Sequence, residues 1–240
     1  IAVVADVIEG IKALDKKLGG YITSYTNEIL EAKNLWAKEM ERLTSISYDI
    51  ENFQPENKIR VPDSLDAFYK ATKGSICQTS AIGLIRKLIA DDAIIVGASG
   101  SLPGCLQRMW TTDSIGSYNM EYGYSCMGYE IAGAFGAKLA KSDKEVYALV
   151  GDGSYNMLHS EMLTCIQEGK KINVLLFDNA SYGCINNLQM GQGIDSLCTE
   201  FRYRDEDKPI RYGDFINIDY AMSARGYGFV TYTAKTMEEL

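Results

Sequence analysis

The sequence contains one histidine, four prolines and no apolar run of more than a few residues. Each shortage removes a class of function. A single imidazole, His159, leaves a Ser-His-Asp hydrolase with one candidate base. Six cysteines (Cys77, Cys105, Cys126, Cys165, Cys184, Cys198) are scattered without a Cys-x-x-Cys pair, so no zinc ligand set is recognisable. Reduced thiols in a cytoplasmic protein are the expected state. The longest apolar stretches, such as Ile94-Ile95-Val96 and Val174-Leu175-Leu176-Phe177, are strand-sized and too short to span a bilayer. Basic residues number 24 against 32 acidic ones, a net charge of −8 with no basic stripe. Neither nucleic acid nor an anionic membrane surface is an expected partner, because both would be repelled.

What the sequence does contain is enough chain, 240 residues, for one sizeable core. No secretory leader is recognisable, since Ile1-Ala2-Val3-Val4 runs directly into Asp6 and Glu9. The lack of an initiator Met, and an ending just inside an apparent helix start, make a piece of a longer chain the expectation. Residues 1–20 read as a short strand, Ala2–Val4, and a helix whose apolar face carries Val7, Ile8, Ile11, Leu14 and Leu18, stopped by Gly19-Gly20. This pair looks like the tail of a preceding α/β domain. A second amphipathic helix, from Ser24 to about Leu43, presents Ile29, Ala32, Trp36, Met40 and Leu43 as one stripe. Residues 45–73 lose periodicity, so residues 21–74 read as a connecting helix and linker.

From residue 75 to 240 a regular rhythm takes over. Helix 75–90 leads to strand 93–97, helix 128–140 to strand 146–150, and helix 160–168 to strand 173–177. A helix around 215–224 leads to a strand at 229–232. Buried strands alternating with amphipathic helices predict an α/β fold with a mostly parallel sheet covered on both faces. Ligands in such sheets bind at the carboxyl ends of strands, which directs attention to residues 97–104, 151–156 and 178–189.

The second of these loops reads Gly151-Asp152-Gly153-Ser154. Its glycines let backbone approach a ligand, and its aspartate is a hard oxygen donor at a strand end. The third reads Asp178-Asn179-Ala180-Ser181-Tyr182-Gly183. If the two preceding strands are neighbours, Asp152 and Asn179 converge on one cation. A carboxylate, an amide oxygen and a turn carbonyl suit Mg²⁺ or Ca²⁺, and Mg²⁺ usually arrives with phosphate oxygens. A Gly-Asp-Gly tripeptide alone is as readily an ordinary turn. The pattern of strand, Gly-Asp-Gly, helix, strand and Asp-Asn-x-x-Tyr-Gly is far more specific.

That joint pattern resembles the signature of the thiamine-diphosphate-dependent enzymes. Residues from about Ile76 to Leu240 look like the diphosphate-binding domain of the acetolactate synthase and pyruvate oxidase superfamily. Within it, Gly100-Ser101-Leu102-Pro103-Gly104, residues 120–130 (Met-Glu-Tyr-Gly-Tyr-Ser-Cys-Met-Gly-Tyr-Glu) and residues 183–189 (Gly-Cys-Ile-Asn-Asn-Leu-Gln) resemble the cyclic 1,2-dione hydrolases of inositol catabolism. The resemblance implies thiamine diphosphate and Mg²⁺ as cofactors. It makes Asp152 and Asn179 side-chain metal ligands, and Ser181 a ligand through its carbonyl. Gly151, Gly153 and Ser154 would face the diphosphate through backbone N–H groups and the Ser154 hydroxyl, with Tyr182 and Gly183 beside them. Asp178 stands where the family usually has a first asparagine, a position that is not a metal ligand. Ser125 would hold the aminopyrimidine through its carbonyl, and Met127 would wedge beneath the bent cofactor. Ser101 and Leu102 would touch the diphosphate from a third strand end.

The implied reaction is cleavage of a carbon–carbon bond beside a carbonyl, opening a trihydroxy cyclic dione to a deoxyuronate. The activating glutamate of this family lies in a separate pyrimidine-binding domain of another subunit, so no catalytic residue is expected in this segment. A homodimer or homotetramer is implied. Three other readings stay open: an acetolactate-synthase-like or decarboxylating lyase, a non-catalytic Mg²⁺–diphosphate-binding module, and a purely structural α/β domain. The absence of a Gly-x-x-x-x-Gly-Lys-Ser/Thr loop argues against a nucleoside triphosphatase. His159 reads as a packing residue and Glu161 as a buried carboxylate at a helix start. Cys126 and Cys184 lack a base partner. Glu121, Tyr182 and Gln189 are the side chains nearest to a substrate role.

Overall fold

The computed structural model describes residues 4–48, 61–112, 114–207 and 213–240. The chain divides into two units, Ile1–Glu41 and Arg42–Leu240. In the first, helix α1 (Val7–Leu18) starts where the Asp6 carboxylate accepts the N–H groups of Ile8 and Glu9. Helix α2 (Thr26–Thr44) begins in this unit and runs into the second, where Leu43 is buried. The apolar stripe of α1 is largely exposed. Of the strand expected at Ala2–Val4, residues 2 and 3 lie outside the described residues.

The second unit carries α3 (Val61–Thr72), α4 (Gln78–Leu88), β1 (Ile94–Gly97), α5 (Ser101–Met109), β2 (Tyr118–Met120) and α6 (Tyr129–Ala140). These are followed by β3 (Val146–Gly151), α7 (Asp152–Met157), α8 (Glu161–Gln167), β4 (Asn173–Phe177), α9 (Gly183–Gly191) and α10 (Tyr220–Gly226). The sheet order is β2-β1-β3-β4, with every pairing parallel. Helix α6 packs on β1, β3 and α8, whereas α5 packs on β3 and α4. Right-handed crossovers running in opposite directions from β1 and β3 place these two groups on opposite faces. Ile94, Val96, Val146, Ala148 and Val150 meet Ile131, Ala134, Met162 and Cys165 in one core. Ile95 and Leu149, pointing the other way, are buried as well. Both faces of β1 and β3 are therefore covered, which is why these strands read as continuous apolar runs.

Three expectations are corrected. Residues 61–72, inside the stretch expected to be a linker, form α3; the rest of that stretch lies partly outside the described residues. Residues 229–232 do not form a strand. The sheet ends at β4, Val230 and Tyr232 are 81% and 92% exposed, and the Phe229 N–H returns to the Ala224 carbonyl. The helix expected around 215–224 starts later, at Tyr220, where the Asp219 carboxylate accepts the Met222 N–H.

The strand order fixes where a ligand can sit. The chain leaves β1 toward β2 on one side and leaves β3 toward β4 on the other. The carboxyl ends of β1 and β3 therefore flank the point where the winding reverses, the usual position of a ligand crevice.

Candidate functional site

Strands β3 and β4 are neighbours, paired so that Gly151 lies opposite Phe177. Asp152 and Asn179 therefore emerge side by side, as convergence on one cation requires. Asp152 is only 2% exposed. Its Oδ1 accepts the Gly153 N–H at 2.8 Å, and its Oδ2 accepts the Ser181 and Asn179 N–H groups at 3.1 and 3.3 Å. Asn179 Oδ1 in turn accepts both the N–H and the hydroxyl of Ser181, at 3.1 and 3.0 Å. The three expected metal ligands thus form one connected group. The loop is shaped by Asp178, whose Oδ1 accepts the Ala180 N–H at 2.9 Å and supports Ala180 at a positive φ of 50°.

Burial, and secondarily the negative charge of Asp178, push the Asp152 carboxyl up to about 7. Two backbone N–H groups offset part of this, and no cationic side chain takes part. A carboxylate held out of water without a cation is poorly stabilised, and a divalent ion would supply what is missing. Among the described residues no cluster of three or more His, Cys, Asp or Glu could hold a metal alone. The expected donor set is instead one carboxylate, one amide oxygen and one carbonyl, hard oxygens of the kind that suit a divalent cation.

The glycines show how closely the remaining residues are gathered. A methyl group on Gly153 would stand 2.7 Å from the Tyr182 ring and 3.3 Å from Met127 Cε. One on Gly183 would stand 2.8 Å from Asn179 Nδ2 and 3.5 Å from both Ser101 Oγ and Ser181 Oγ. Residues from the ends of β1, β3 and β4 and from the turn before α6 therefore meet at one place. Just past the end of β1 the Ser99 hydroxyl is buried with no hydrogen-bond partner, a polar atom that a ligand could satisfy.

Other expected residues take definite positions. Ser125 sits at φ 58°, a left-handed conformation that aims its carbonyl differently from an extended residue. The loop carrying it is held by Glu121, whose carboxylate accepts the Cys126 and Tyr124 N–H groups at 2.7 and 2.8 Å. Those bonds hold the Glu121 carboxyl below the usual range. Gln189 is similarly engaged: its Oε1 accepts the Leu197 N–H at 3.0 Å. Two of the three side chains expected nearest to a substrate, Glu121 and Gln189, are thus engaged in hydrogen bonds within the chain. Leu102 is buried in the first turn of α5. The Gly153 N–H, expected to face the diphosphate, donates to Asp152 in this structure, and the Ser154 hydroxyl accepts the Gly128 N–H at 3.2 Å.

His159 stacks on Tyr155 at 4.7 Å, contacts Tyr227 edge-on, and bonds the Tyr155 carbonyl through Nδ1. It packs, as expected. Glu161 stands in the first turn of α8, half-buried rather than buried as expected, and accepts the Thr164 hydroxyl at 2.9 Å, while Cys126 and Cys184 are exposed. Two contributors escaped sequence reasoning. Tyr220 of α10 receives the Asn156 side-chain N–H at 3.1 Å, and burial, with the charges of Asp152 and Asp178, raises its hydroxyl far above the ordinary value. Glu130, buried in the first turn of α6, accepts the Gly128 N–H at 3.0 Å. Glu130 lies within the motif at residues 120–130; Tyr220 carries no sequence signal.

A family model described as "Thiamine pyrophosphate enzyme, C-terminal TPP binding domain" matches residues 98–240. The chain is 61% identical over 239 residues to a 3D-(3,5/4)-trihydroxycyclohexane-1,2-dione hydrolase of Clostridium botulinum (strain Alaska E43 / Type E3), covering 99% of this chain and 37% of that protein. It is 55% identical over 240 residues to the protein of the same name from Geobacillus thermodenitrificans, covering 100% and 37%. The chain thus spans little more than a third of the length of these curated relatives. Among solved structures, the Rhodococcus jostii RHA1 thiamine diphosphate-dependent 4-hydroxybenzoylformate decarboxylase is similar with a TM-score of 0.52 and 25% identity, over 65% of this chain and 27% of that one. Among the described residues no helix is long and apolar enough to cross a membrane.

Proposed function

Because this chain belongs to the C-terminal TPP-binding domain family of the thiamine pyrophosphate enzymes, we propose that it forms the diphosphate-binding half-site of a hydrolase that opens 3D-(3,5/4)-trihydroxycyclohexane-1,2-dione. Residues 75–240 are the diphosphate domain in this reading, residues 21–74 the connection, and residues 1–20 the end of a preceding domain. The observation that carries the site is the convergence of Asp152, Asn179 and Ser181 beside the Gly153–Tyr182–Met127 contact. The substrate is inferred from the names of the Clostridium and Geobacillus relatives.

The residues fit thiamine diphosphate and Mg²⁺. Asp152 and Asn179 side chains and the Ser181 carbonyl would hold the cation. Gly151, Gly153 and Ser154, with Ser101 and Gly183 opposite, would face the phosphate oxygens through backbone N–H groups and the serine hydroxyls. Ser125 and Met127 would receive the rings, and Tyr182 closes the side of Gly153. Bound here, the cofactor supplies a carbon nucleophile and an electron sink. This chain's residues bind and orient it; the activating glutamate is assigned to a pyrimidine-binding domain of a second subunit.

Titration calorimetry of the full-length protein with thiamine diphosphate and Mg²⁺ tests the site. Saturable binding is expected, with Asp152→Ala weakening it by about tenfold or more. Unchanged affinity in that variant overturns the metal assignment. Turnover of the cyclic dione but not of pyruvate supports the substrate; the reverse transfers the protein to the 2-oxo acid lyases.

A further inference from the structure

Glu130 is 1% exposed, and no part of the proposed cofactor chemistry uses it. It stands where two parts of the site meet. The Gly128 N–H, one residue after Met127, is shared between Glu130 Oε2 at 3.0 Å and Ser154 Oγ at 3.2 Å. Ser154 Oγ and Glu130 Oε2 therefore stand together around one N–H, where an ionised carboxylate draws the serine hydroxyl proton toward itself. A serine hydroxyl has one proton. While Glu130 is ionised that proton is spent on it, and the Ser154 hydroxyl has nothing to give a phosphate.

We propose that Glu130 is a positioning residue whose carboxyl takes up one proton when the diphosphate binds, turning the Ser154 hydroxyl proton from Glu130 to a phosphate oxygen. The inference rests on the diphosphate reading of the 151–154 loop. The donors and acceptors balance. Glu130 gains a proton from solvent and donates it in a hydrogen bond to Ser154 Oγ. That oxygen keeps the Gly128 N–H as its second incoming bond, and its own proton becomes free for the ligand. No covalent bond forms or breaks other than the O–H formed on Glu130.

The surroundings favour this. Burial already raises the Glu130 carboxyl above the ordinary value, and the hydrogen bonds it receives only partly offset that. Titratable groups on the elements against α6 are Tyr147 on β3, Asp152 and Tyr155 on α7, and Glu161 and Cys165 on α8. None of them acts on its charge, and no cationic side chain stabilises it. A diphosphate arriving at Ser154 would bring a second anion close to a buried carboxylate, and protonation of that carboxylate removes the repulsion.

The test is calorimetry of the full-length protein with thiamine diphosphate and Mg²⁺, in buffers of different ionisation enthalpy, at slightly alkaline pH where the cofactor's phosphates carry no proton. Wild type is expected to take up about one proton more than Glu130→Gln, whose amide accepts the Gly128 N–H and donates to Ser154 without titrating. The glutamine variant should bind with comparable affinity. Ser154→Ala, which leaves the carboxyl in place and carries little risk to folding, should lose the same proton. Asp152 is common to all three proteins, so the difference isolates Glu130. Binding with equal proton counts in wild type, Ser154→Ala and Glu130→Gln overturns this inference and leaves the cofactor site standing. No binding by wild type overturns the cofactor site itself.

Discussion

Replacing Gly153 with alanine tests the geometry of the site at its tightest point. Gly153 is helical and buried in α7, so alanine is conformationally acceptable there. On helix propensity alone the substitution would stabilise the protein by up to about 1 kcal/mol. The surroundings reverse that sign. The added methyl would lie 2.7 and 2.8 Å from Tyr182 Cδ1 and Cε1 and 3.3 Å from Met127 Cε. Comfortable carbon contacts begin near 3.5 Å, so the tyrosine ring must retreat by roughly 1 Å. It has little freedom to do so: the ring packs edge-on against Phe201 at 5.2 Å, and the Tyr182 N–H is bonded to the Thr199 carbonyl at 2.8 Å. Overpacking of this kind costs about 1–3 kcal/mol. A loss of 1 kcal/mol lowers Tm by about 2–4 °C in a domain of this size. The expected result is a lowered Tm, together with weakened binding of thiamine diphosphate because Met127 and Tyr182 are displaced. Adding Tyr182→Ala should recover much of the Tm, with a coupling of about 0.5–3 kcal/mol in the double-mutant cycle. A Gly153→Ala protein with raised Tm and unaltered cofactor affinity would refute the reasoning.

Asp152 predicts a pH dependence of opposite sign in the free and metal-bound protein. Without a cation its carboxyl, pushed up to about 7, retains a proton that the unfolded chain has lost, so Tm should fall as pH rises from the ordinary carboxylate range through about 7. With Mg²⁺ bound the carboxylate must be ionised, so Mg²⁺ affinity should fall as pH drops below about 7; affinity independent of pH would contradict this. Glu121→Ala removes the acceptor for the Tyr124 and Cys126 N–H groups. Amide exchange at both positions should speed up and cofactor affinity should drop while Tm holds. Arg202 bonds Glu200 at 2.6 Å, largely buried, and lies 3.7 Å above the Phe215 ring. Arg202→Ala should cost about 3–5 kcal/mol in urea unfolding. It should also loosen Ser181, which bridges to Glu200.

How much could be read in advance depends on how far each feature is set by its own residues. Strands β1 and β3 are legible because a strand covered on both faces must be apolar throughout, as Ile94–Val96 and Val146–Val150 are, and the half-buried β4 keeps the apolar run Val174–Phe177. Strand β2 is three residues of mixed burial and leaves no pattern. Helices α5, α7 and α9 look like loops because they open with glycine, serine or proline, poor helix formers in isolation. They form because the strand before each delivers the chain at a fixed angle. The apolar run at 229–232 shows the converse: its residues suit a strand, yet Val230 and Tyr232 are exposed and join no strand among the described residues.

The same distinction divides the site. Asp152 and Asn179 are legible because each directly follows a readable strand, so locating the strands locates the ligands. Glu121 and Glu130 share one short motif, and from sequence both are merely carboxylates near a cofactor segment. Their roles separate only in three dimensions. Glu121 is in water and holds its loop as an anion, its charge favoured by two N–H donors. Glu130 is out of water, and the loop that would receive the diphosphate stands against it. A carboxylate that only braced the turn after Met127 would serve as well from the surface, as Glu121 does for its loop. Burial against Ser154 adds something bracing does not need: it makes the ionised state the less stable one at the moment a second anion arrives. That is the physical reason to expect Glu130 to change its protonation on cofactor binding and Glu121 to keep its charge.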